Sequence, residues 1–388
     1  MDLLEYQGKQ LFERAGVAVP SGEPATDVEG AVAAAERVGF PCVIKAQVQI
    51  GGRGKAGGIK VAKDAEEARG HADAIIGMDI RGPRGEGPFR VHEVWVEEAS
   101  EIDAEYYASI ILDRSAKKSL AILSRMGGMN VEEIAENDPE ALVQRHIDPR
   151  TGLTEADASA LAVDAGIDED VGDGVAAILV KLAAAFDDYD ATLIEVNPLI
   201  VTSAREVVAL DAKVTIDNSA LFRHEEIGAL ENPSDDDPQE RMAKERGLTY
   251  VKLDGNVGIL GNGAGLCMST LDVVANAGGA PANFLDAGGG SKADAIVDAL
   301  EVITSDPKVT AVLFNIFGGI TRCDEVAKGI IEAYSRVDMD VPLVVRLDGT
   351  NSEEGLRLLE EADLDGLEVN PTMLGAAERV VELAGGGD

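Results

Sequence analysis

The hydrophobic rhythm of the chain changes near its middle. Up to about residue 230, helical and strand-like patterns follow one another irregularly. Leu4, Leu11 and Phe12 recur at helical spacing and predict a first helix that Gly16 ends. Cys42–Val48 and Ile59–Ala62 read as strands, and Asp64-Ala65-Glu66-Glu67 as a capping box opening a helix that reaches Ile76. Val91–Val96, Tyr106–Leu112 and Ser119–Leu123 are strand-like, Asp157–Phe186 is mostly helical, and Ala191–Thr202 and Glu206–Ile216 close the region as two apolar strands. Strands interleaved with helices in this way predict an α+β domain in two lobes.

The stretch Glu231–Pro238 reads as a linker or exposed turn by its Pro and Asp content. From about residue 247 the rhythm becomes regular. Strands at Val257–Leu260, Ala282–Asp286, Val309–Phe317, Pro342–Leu347 and Gly366–Val369 alternate with helical stretches. That alternation predicts a doubly wound parallel sheet, with ligands outside the carboxyl ends of its strands.

Composition narrows the partners. The chain of 388 residues carries 34 basic and 71 acidic side chains, a formal charge of −37, which argues against nucleic acid and anionic membranes. Fewer than half of the basic residues are lysine. An acidic, lysine-poor surface fits a protein solvated in molar salt, where screening acts within about 3 Å. No apolar run approaches the ~18 residues of a membrane span, and the start lacks a basic leader region, so a cytoplasmic protein is expected. Cys42, Cys267 and Cys323 are too few and too scattered for a disulfide framework or a zinc site.

Three features carry candidate chemistry. Gly51–Gly58 (GGRGKAGG) follows a strand bearing Lys45; its glycines free backbone N–H groups for a polyanion, to which Arg53 and Lys55 add charge. No Gly-Lys in the chain is followed by Ser or Thr, so this is not a Walker A loop. Glu195 and Asn197 share one face of a strand, and a hairpin centred on Ala204 places Asn197 opposite Asp211. Such hard oxygen donors suit Mg²⁺, although a solvated polar row on an edge hairpin would read alike. Gly261–Gly265, Asp286–Gly290 and Phe317–Thr321 are glycine-rich turns at successive strand ends, suited to an anion at helix N-termini. The first, with Asp286, is also compatible with a weak dinucleotide fingerprint and hence an oxidoreductase. His71, His92, His146 and His224 lie outside every glycine-rich turn and no nucleophile motif is present. Substrate therefore attacks phosphate directly, or another chain supplies the nucleophile.

From Glu5-Tyr6-Gln7 through Gly51–Gly58, Glu195-Val196-Asn197-Pro198-Leu199, Ala220-Leu221-Phe222-Arg223, Leu253-Asp254-Gly255-Asn256, Asn262-Gly263-Ala264-Gly265, Ala282–Gly290 and Asn315–Asp324, the whole chain resembles the β-subunit family of the ADP-forming succinate–CoA ligases, also called succinyl-CoA synthetases. The resemblance implies an α/β chain. A two-lobed, nucleotide-binding ATP-grasp domain over residues 1–236 precedes a flavodoxin-like, doubly wound parallel-sheet CoA-ligase domain over 237–388. It implies succinate, CoA and ATP as substrates, Mg²⁺ as cofactor, and a phosphohistidine on an α subunit that also holds most of the CoA site. That would account for the missing nucleophile.

Carried over by position, Lys45, Gly52, Arg53 and Gly54 match nucleotide and phosphate contacts, and Glu97, Ser100 and Glu105 the adenine and ribose side. Asn197 and Asp211 match the Mg²⁺ ligands, Glu195 the carboxylate that meets the phosphohistidine, and Asn262 and Gly319-Ile320-Thr321 the succinate and phosphohistidine site. Pro20 matches ATP-preferring relatives, with GTP the alternative nucleotide and malate–CoA ligase the alternative family. Arg125-Met126 before Gly127-Gly128 and a short Arg81–Arg90 segment depart from the family pattern. Both are expected to lie away from the Asn197–Asp211 hairpin. A nucleotide-binding regulatory subunit without its own reaction remains a further alternative.

Overall fold

The computed structural model describes the chain except residues 83, 84, 86, 231–236, 289–292, 338, 339 and 386–388. The expected linker core, residue 236 on the near side of the expected domain boundary, Gly289 and Gly290, and part of Arg81–Arg90 therefore lie outside the described residues. The chain divides into two compact units, Met1–Asn232 and Pro233–Asp388.

The first unit holds two main sheets. One has four strands in the order Gly22–Ala25, Val94–Glu98, Cys42–Ala46, Ile59–Ala62, all antiparallel. Helices Val28–Val38 and Ala65–Ile75 cover it, burying Ala34, Ala68, Ala72 and Ile75 against Ile44, Val94 and Val96. Asp64 caps the second helix by accepting the N–H groups of Glu66 and Glu67. The return bond of the expected capping box instead runs from Lys63 N–H to Glu67.

The other sheet runs Val207–Ala209, Ala191–Thr202, Ile102–Asp113, Lys118–Ser124, Val143–His146, with Lys213–Ile216 also on Ala191–Thr202. The mostly helical stretch Asp157–Phe186 consists of two helices, Glu155–Asp164 and Gly172–Asp188; Leu179 and Leu182 of the second pack with Ile110, Leu123, Ile194 and Val196. The first helix spans Glu5–Arg14, and Leu4, Leu11 and Phe12 are buried as their spacing requires. Gly16 follows it with φ +74°, a left-handed turn that ends the helix without a Cβ clash.

The second unit is built on a six-stranded sheet in the order Thr249–Lys252, Asn283–Asp286, Val257–Gly261, Ala311–Gly318, Leu343–Gly349, Leu367–Val369. All neighbours are parallel except the first pair. The five parallel strands thus follow the flavodoxin-like 2-1-3-4-5 order, with the switch point between Val257–Gly261 and Ala311–Gly318. Successive residues of Ala311–Gly318 point to opposite faces. Phe314 and Ile316 pack against Leu300, Val326 and Ile330 on one face, and Leu313 joins Val274 and Val380 on the other. The antiparallel edge strand Thr249–Lys252 was not anticipated, because its four residues mix polar and apolar positions without a run.

Candidate active site

In the first unit, a buried ion-pair network lies where the helix Glu5–Arg14 meets both main sheets. Glu5 accepts from Lys45 Nζ at 2.9 Å and Arg53 Nη1 at 2.6 Å, and pairs with Lys9 at 2.8 Å. Glu97 takes Lys9, Lys45 and the Trp95 indole N–H. Arg53 continues to Ala46 O at 3.0 Å and, through Nη2, to both oxygens of Asp211 at 3.1 Å. Three cations thus face three carboxylates, and all but Asp211 are buried.

Burial alone would raise the Glu5 carboxyl, but Arg53, Lys45 and Lys9 together hold it well below the usual carboxylate range. Burial likewise opposes the Lys45 charge, yet Glu5, Glu97 and Asp211 keep its pKa above the ordinary lysine value.

The polar hairpin keeps its expected register. Leu199 faces Ala209 and Val201 faces Val207 on one side of the pair, and Glu195 faces Lys213 on the other. Asn197 therefore stands opposite Asp211. The expected continuous strand Glu206–Ile216 is interrupted between them, giving Val207–Ala209 and Lys213–Ile216. At the break Asp211 Oδ1 accepts the Ala212 N–H at 2.7 Å, while Leu210 O accepts from Lys45 at 3.1 Å. The backbone there is shared: Leu210 N–H still reaches Pro198 O across the hairpin at 3.2 Å, while its carbonyl and the Ala212 N–H serve side chains.

Asn197 holds the loop after Lys118–Ser124. Its Oδ1 accepts the Gly128 N–H at 2.8 Å and its Nδ2 donates to Met129 O at 2.8 Å. The Gly127-Gly128 segment thus reaches the hairpin, contrary to the expectation that it lies apart. The reason is topological: Lys118–Ser124 neighbours Ile102–Asp113, which neighbours Ala191–Thr202, so the loop leaving it folds across the strand bearing Asn197. Glycine is required on the way. A Cβ at Gly127 would stand 2.4 Å from Tyr106 O, and one at Gly128, where φ is +72°, 2.6 Å from Glu105 Oε2. This loop therefore brings Glu105 beside Asn197.

Glu195 lies beneath the same face. Tyr107 donates its hydroxyl to Glu195 Oε2 at 3.0 Å. Burial pushes the Glu195 carboxyl up, and Lys213 and Tyr107 offset part of that rise. Ser100 is half-buried and Glu105 exposed, whereas the Glu97 carboxylate is wholly enclosed by its partners.

The Gly51–Gly58 loop turns on itself. The N–H groups of Ala56, Gly57 and Gly58 bond to Gly52 O, Gly54 O and Arg53 O. Those of Arg53, Gly54 and Lys55 donate to no group among the described residues, and Gly52, Gly54 and Lys55 are exposed. Arg53 itself points inward to Glu5 and Asp211 rather than outward with the loop. Among the described residues no group of three or more His, Cys, Asp or Glu is arranged to hold a metal ion by itself. Asn197 Oδ1 and the part-exposed Asp211 carboxylate still fit Mg²⁺, a hard cation that takes one or two protein oxygens beside phosphates and water.

In the second unit the three glycine-rich turns meet at the carboxyl edge of the sheet. Asn262 Oδ1 accepts the Phe317 N–H and its Nδ2 donates to Phe317 O, both at 2.9 Å, clasping the strands of the switch point. Asp286 Oδ1 accepts the N–H groups of Gly263 at 2.6 Å and Gly288 at 2.8 Å. The acid read as a ribose ligand is thus committed to shaping two turns, which removes the ground for a dinucleotide site.

Thr321 is buried, with its hydroxyl 3.4 Å from Gly288 O. Gly319 and Ile320 are exposed, and their N–H groups donate to no described group. The helix that follows, Cys323–Arg336, already carries Asp324 in its first turn, bonded to Arg322 and Asn351.

Three of the four histidines have structural partners. His71 Nε2 lies 3.1 Å from Val61 O, and His146 and His224 lie 2.8 Å from Asp113 and Asp190; His92 is exposed. The three cysteines are free and buried.

This combination defines a class: residues 2–201 match the ATP-grasp domain and residues 260–380 the CoA-ligase domain. Relatives agree along the whole chain. Succinate–CoA ligase [ADP-forming] subunit β of Rubrobacter xylanophilus is 51% identical, and those of Natronomonas pharaonis and Haloarcula marismortui are 50% and 48% identical, each over 99% of both chains. The chain belongs to the family of succinate–CoA ligase [ADP-forming] β subunits. In fold it is similar to ATP citrate lyase from Methanothrix soehngenii solved with citrate and coenzyme A, at TM-score 0.76 and 20% identity over 99% of this chain and 98% of that one. ATP citrate lyase of Methanosaeta concilii gives 0.79 at 18% identity, over 98% of this chain and 99% of that one.

Sequence reasoning passed over Glu5, Lys9 and Tyr107. Glu5, Lys9 and Phe12 recur every three to four residues, so two charges share the stripe of a buried phenylalanine. That alignment was the available signal. Tyr107 offered none, since its role depends on strand pairing.

Proposed function

We propose that this chain acts as the nucleotide- and acyl-site subunit of an ADP-forming succinate–CoA ligase, together with an α subunit. The reaction is succinate + CoA + ATP = succinyl-CoA + ADP + phosphate, passing through a phosphohistidine on the α chain, which also holds most of the CoA. The observation that carries this reading is 51% identity over 99% of the chain to a protein of that name.

In this reading Gly52, Gly54, Arg53 and Lys45 meet the nucleotide phosphates. The unpartnered N–H groups of Arg53, Gly54 and Lys55 support that role. Ser100 and Glu105 lie on the nucleoside side. Glu97, whose carboxylate is enclosed, acts by holding Lys45. Asn197 and Asp211 hold Mg²⁺, which when bound neutralises phosphate charge and aligns the transferring group.

Glu195 receives the phosphohistidine beside the nucleotide; Tyr107 fixes the direction of its carboxylate. Asn262 sets the spacing of the two central turns, and Gly319, Ile320 and Thr321 hold succinate and the phosphohistidine through backbone donors and the helix end. Phosphoryl transfer asks mainly for such positioning and charge stabilisation. Among the described residues no helix is long and apolar enough to cross a membrane. The acidic surface supports work in a salt-rich cytoplasm.

Initial rates of the two-chain complex in molar KCl, with succinate or malate and ATP or GTP, test the assignment. Succinate with ATP is the expected preferred pair. Preference for malate would move the chain to malate–CoA ligase, and preference for GTP would make the enzyme GDP-forming.

A further inference from the structure

Glu5 belongs to no motif with assigned chemistry, yet the cations of the nucleotide site converge on its carboxylate. One oxygen takes Lys45 at 2.9 Å and Lys9 at 2.8 Å, and the other takes Arg53 Nη1 at 2.6 Å. Its side chain is 2% exposed, so it does not touch a nucleotide. The backbone beneath it is fixed as well. Leu4 N–H and Tyr6 N–H bond to the side chains of Gln7 and Gln47, and Gln7 Nε2 reaches Leu230 O.

Arg53 is held at two ends. Nη1 is anchored by Glu5 and Ala46 O, and Nη2 faces both oxygens of Asp211. Because the guanidinium is planar and rigid, fixing Nη1 fixes where Nη2 points. Lys45 is held alike, between Glu5, Glu97 and Leu210 O.

We propose that Glu5 is a positioning residue of the nucleotide site: from the buried side it anchors Arg53 Nη1 and Lys45 Nζ, aiming Arg53 Nη2 at Asp211 and at the phosphates that arrive beside it. This rests on the reading of Lys45, Arg53 and Asp211 as the Mg-nucleotide site. When Asp211 turns toward a metal ion, Glu5 remains as the counter-ion of Arg53. The two roles of the network, neutrality without nucleotide and a fixed donor with it, then require no rebuilding of the buried part.

The test is steady-state kinetics of the complex with Glu5→Gln, Arg53→Gln and the double variant. Glu5→Gln is expected to raise the KM for ATP about ten- to a hundredfold, as misplacement of a site by an ångström does, with the KM for CoA and succinate within about twofold. In the Arg53→Gln background the same change should add less than it does alone, because one of the two cations Glu5 anchors is gone and only Lys45 remains. Equal damage to all three substrates, or effects that multiply in full, overturns the proposal in favour of a purely structural role. A raised KM for ATP in Arg53→Gln beside an unchanged one in Glu5→Gln overturns the role of Glu5 alone. An unchanged KM in Arg53→Gln overturns the nucleotide-site reading and the proposal with it. Should Glu5→Gln fail to fold, the charge-balanced Glu5→Gln/Lys9→Met variant carries the same comparison.

Discussion

Arg53 Nη2 stands 3.1 Å from each carboxylate oxygen of Asp211, although 158 residues separate them in the chain. The pair joins the glycine-rich loop to the interrupted strand of the polar hairpin. It holds the Asp211 carboxylate at the break in the strand, where Asn197 stands opposite it across the hairpin. In the proposed reading, a divalent cation arriving there would meet a carboxylate already oriented, and a phosphate a guanidinium already anchored.

Replacing Asp211 or Asn197 by alanine should abolish Mg²⁺-dependent nucleotide turnover while the fold survives. The expected loss exceeds the roughly 10–100-fold seen when only a residue behind a metal ligand is changed. Titrating activity against Mg²⁺ checks this. An unaltered Mg²⁺ dependence in either variant removes that residue from the metal site.

Glu5 should also govern stability in acid. Its folded pKa lies well below the unfolded value of about 4.3, so its contribution is complete above that pH. Below it the unfolded state binds the proton first, and stability falls as pH drops through the folded pKa. Removing one partner of a buried ion cluster costs about 3–5 kcal/mol, so Glu5→Gln should be less stable near neutrality. It should also lose less on acidification below about pH 4.3. Urea midpoints across this range test both statements; parallel pH profiles for the two proteins would contradict the assignment.

Asn262→Ala unpairs both backbone groups of Phe317 and frees the clasp between the central strands. A stability loss of about 1–3 kcal/mol is expected, with a raised KM for succinate and an unchanged KM for ATP. Rates at varied succinate and varied ATP separate these effects. A change in the ATP constant alone would contradict the placement of the acyl site in the second unit.

Gly127→Ala forces a Cβ to within 2.4 Å of the Tyr106 carbonyl oxygen. The strain should cost about 1–3 kcal/mol. It should also weaken Mg²⁺ activation about 10–100-fold, because the neighbouring Gly128 N–H orients Asn197. Thermal unfolding and a Mg²⁺ titration check the two parts, and wild-type behaviour in both would refute the loop's role.

With a formal charge of −37, the fold should gain stability between about 0.1 M and about 1 M KCl, as the screening length falls from about 10 Å to about 3 Å. A urea midpoint that is flat or falling over this range would contradict the reading of the surface as salt-adapted.

Most sequence patterns with a fixed period survived into the structure. The five parallel strands of the second unit were legible because each is a short, mostly apolar run bounded by turn residues such as Gly, Pro, Asp or Asn. Asn197 opposite Asp211 was legible because strand pairing advances one residue for one residue on either side of the Val201–Val207 pair. The interruption at Leu210–Ala212 was not, since Leu, Asp and Ala continue the apolar alternation; what breaks the ladder is Lys45 reaching Leu210 O across 165 residues. Glu5 and Lys9 resemble an ordinary solvated helix pair until two sheets close over them. Gly127 and Gly128 appeared remote because their approach to Asn197 depends on the order of three strands, which residue spacing does not encode. The ribose-like acid Asp286 misled for a related reason, because a carboxylate at a strand end can serve its own turns as well as a ligand.

The most direct test is nucleotide turnover in molar KCl with succinate, CoA and Mg²⁺, measured for this chain alone and with its α partner. ADP formation that requires both chains and both acceptor substrates is the predicted result. Sustained turnover by this chain alone would contradict the account, because phosphoryl transfer would then proceed without an α-chain histidine, by direct attack of substrate or through one of this chain's own residues.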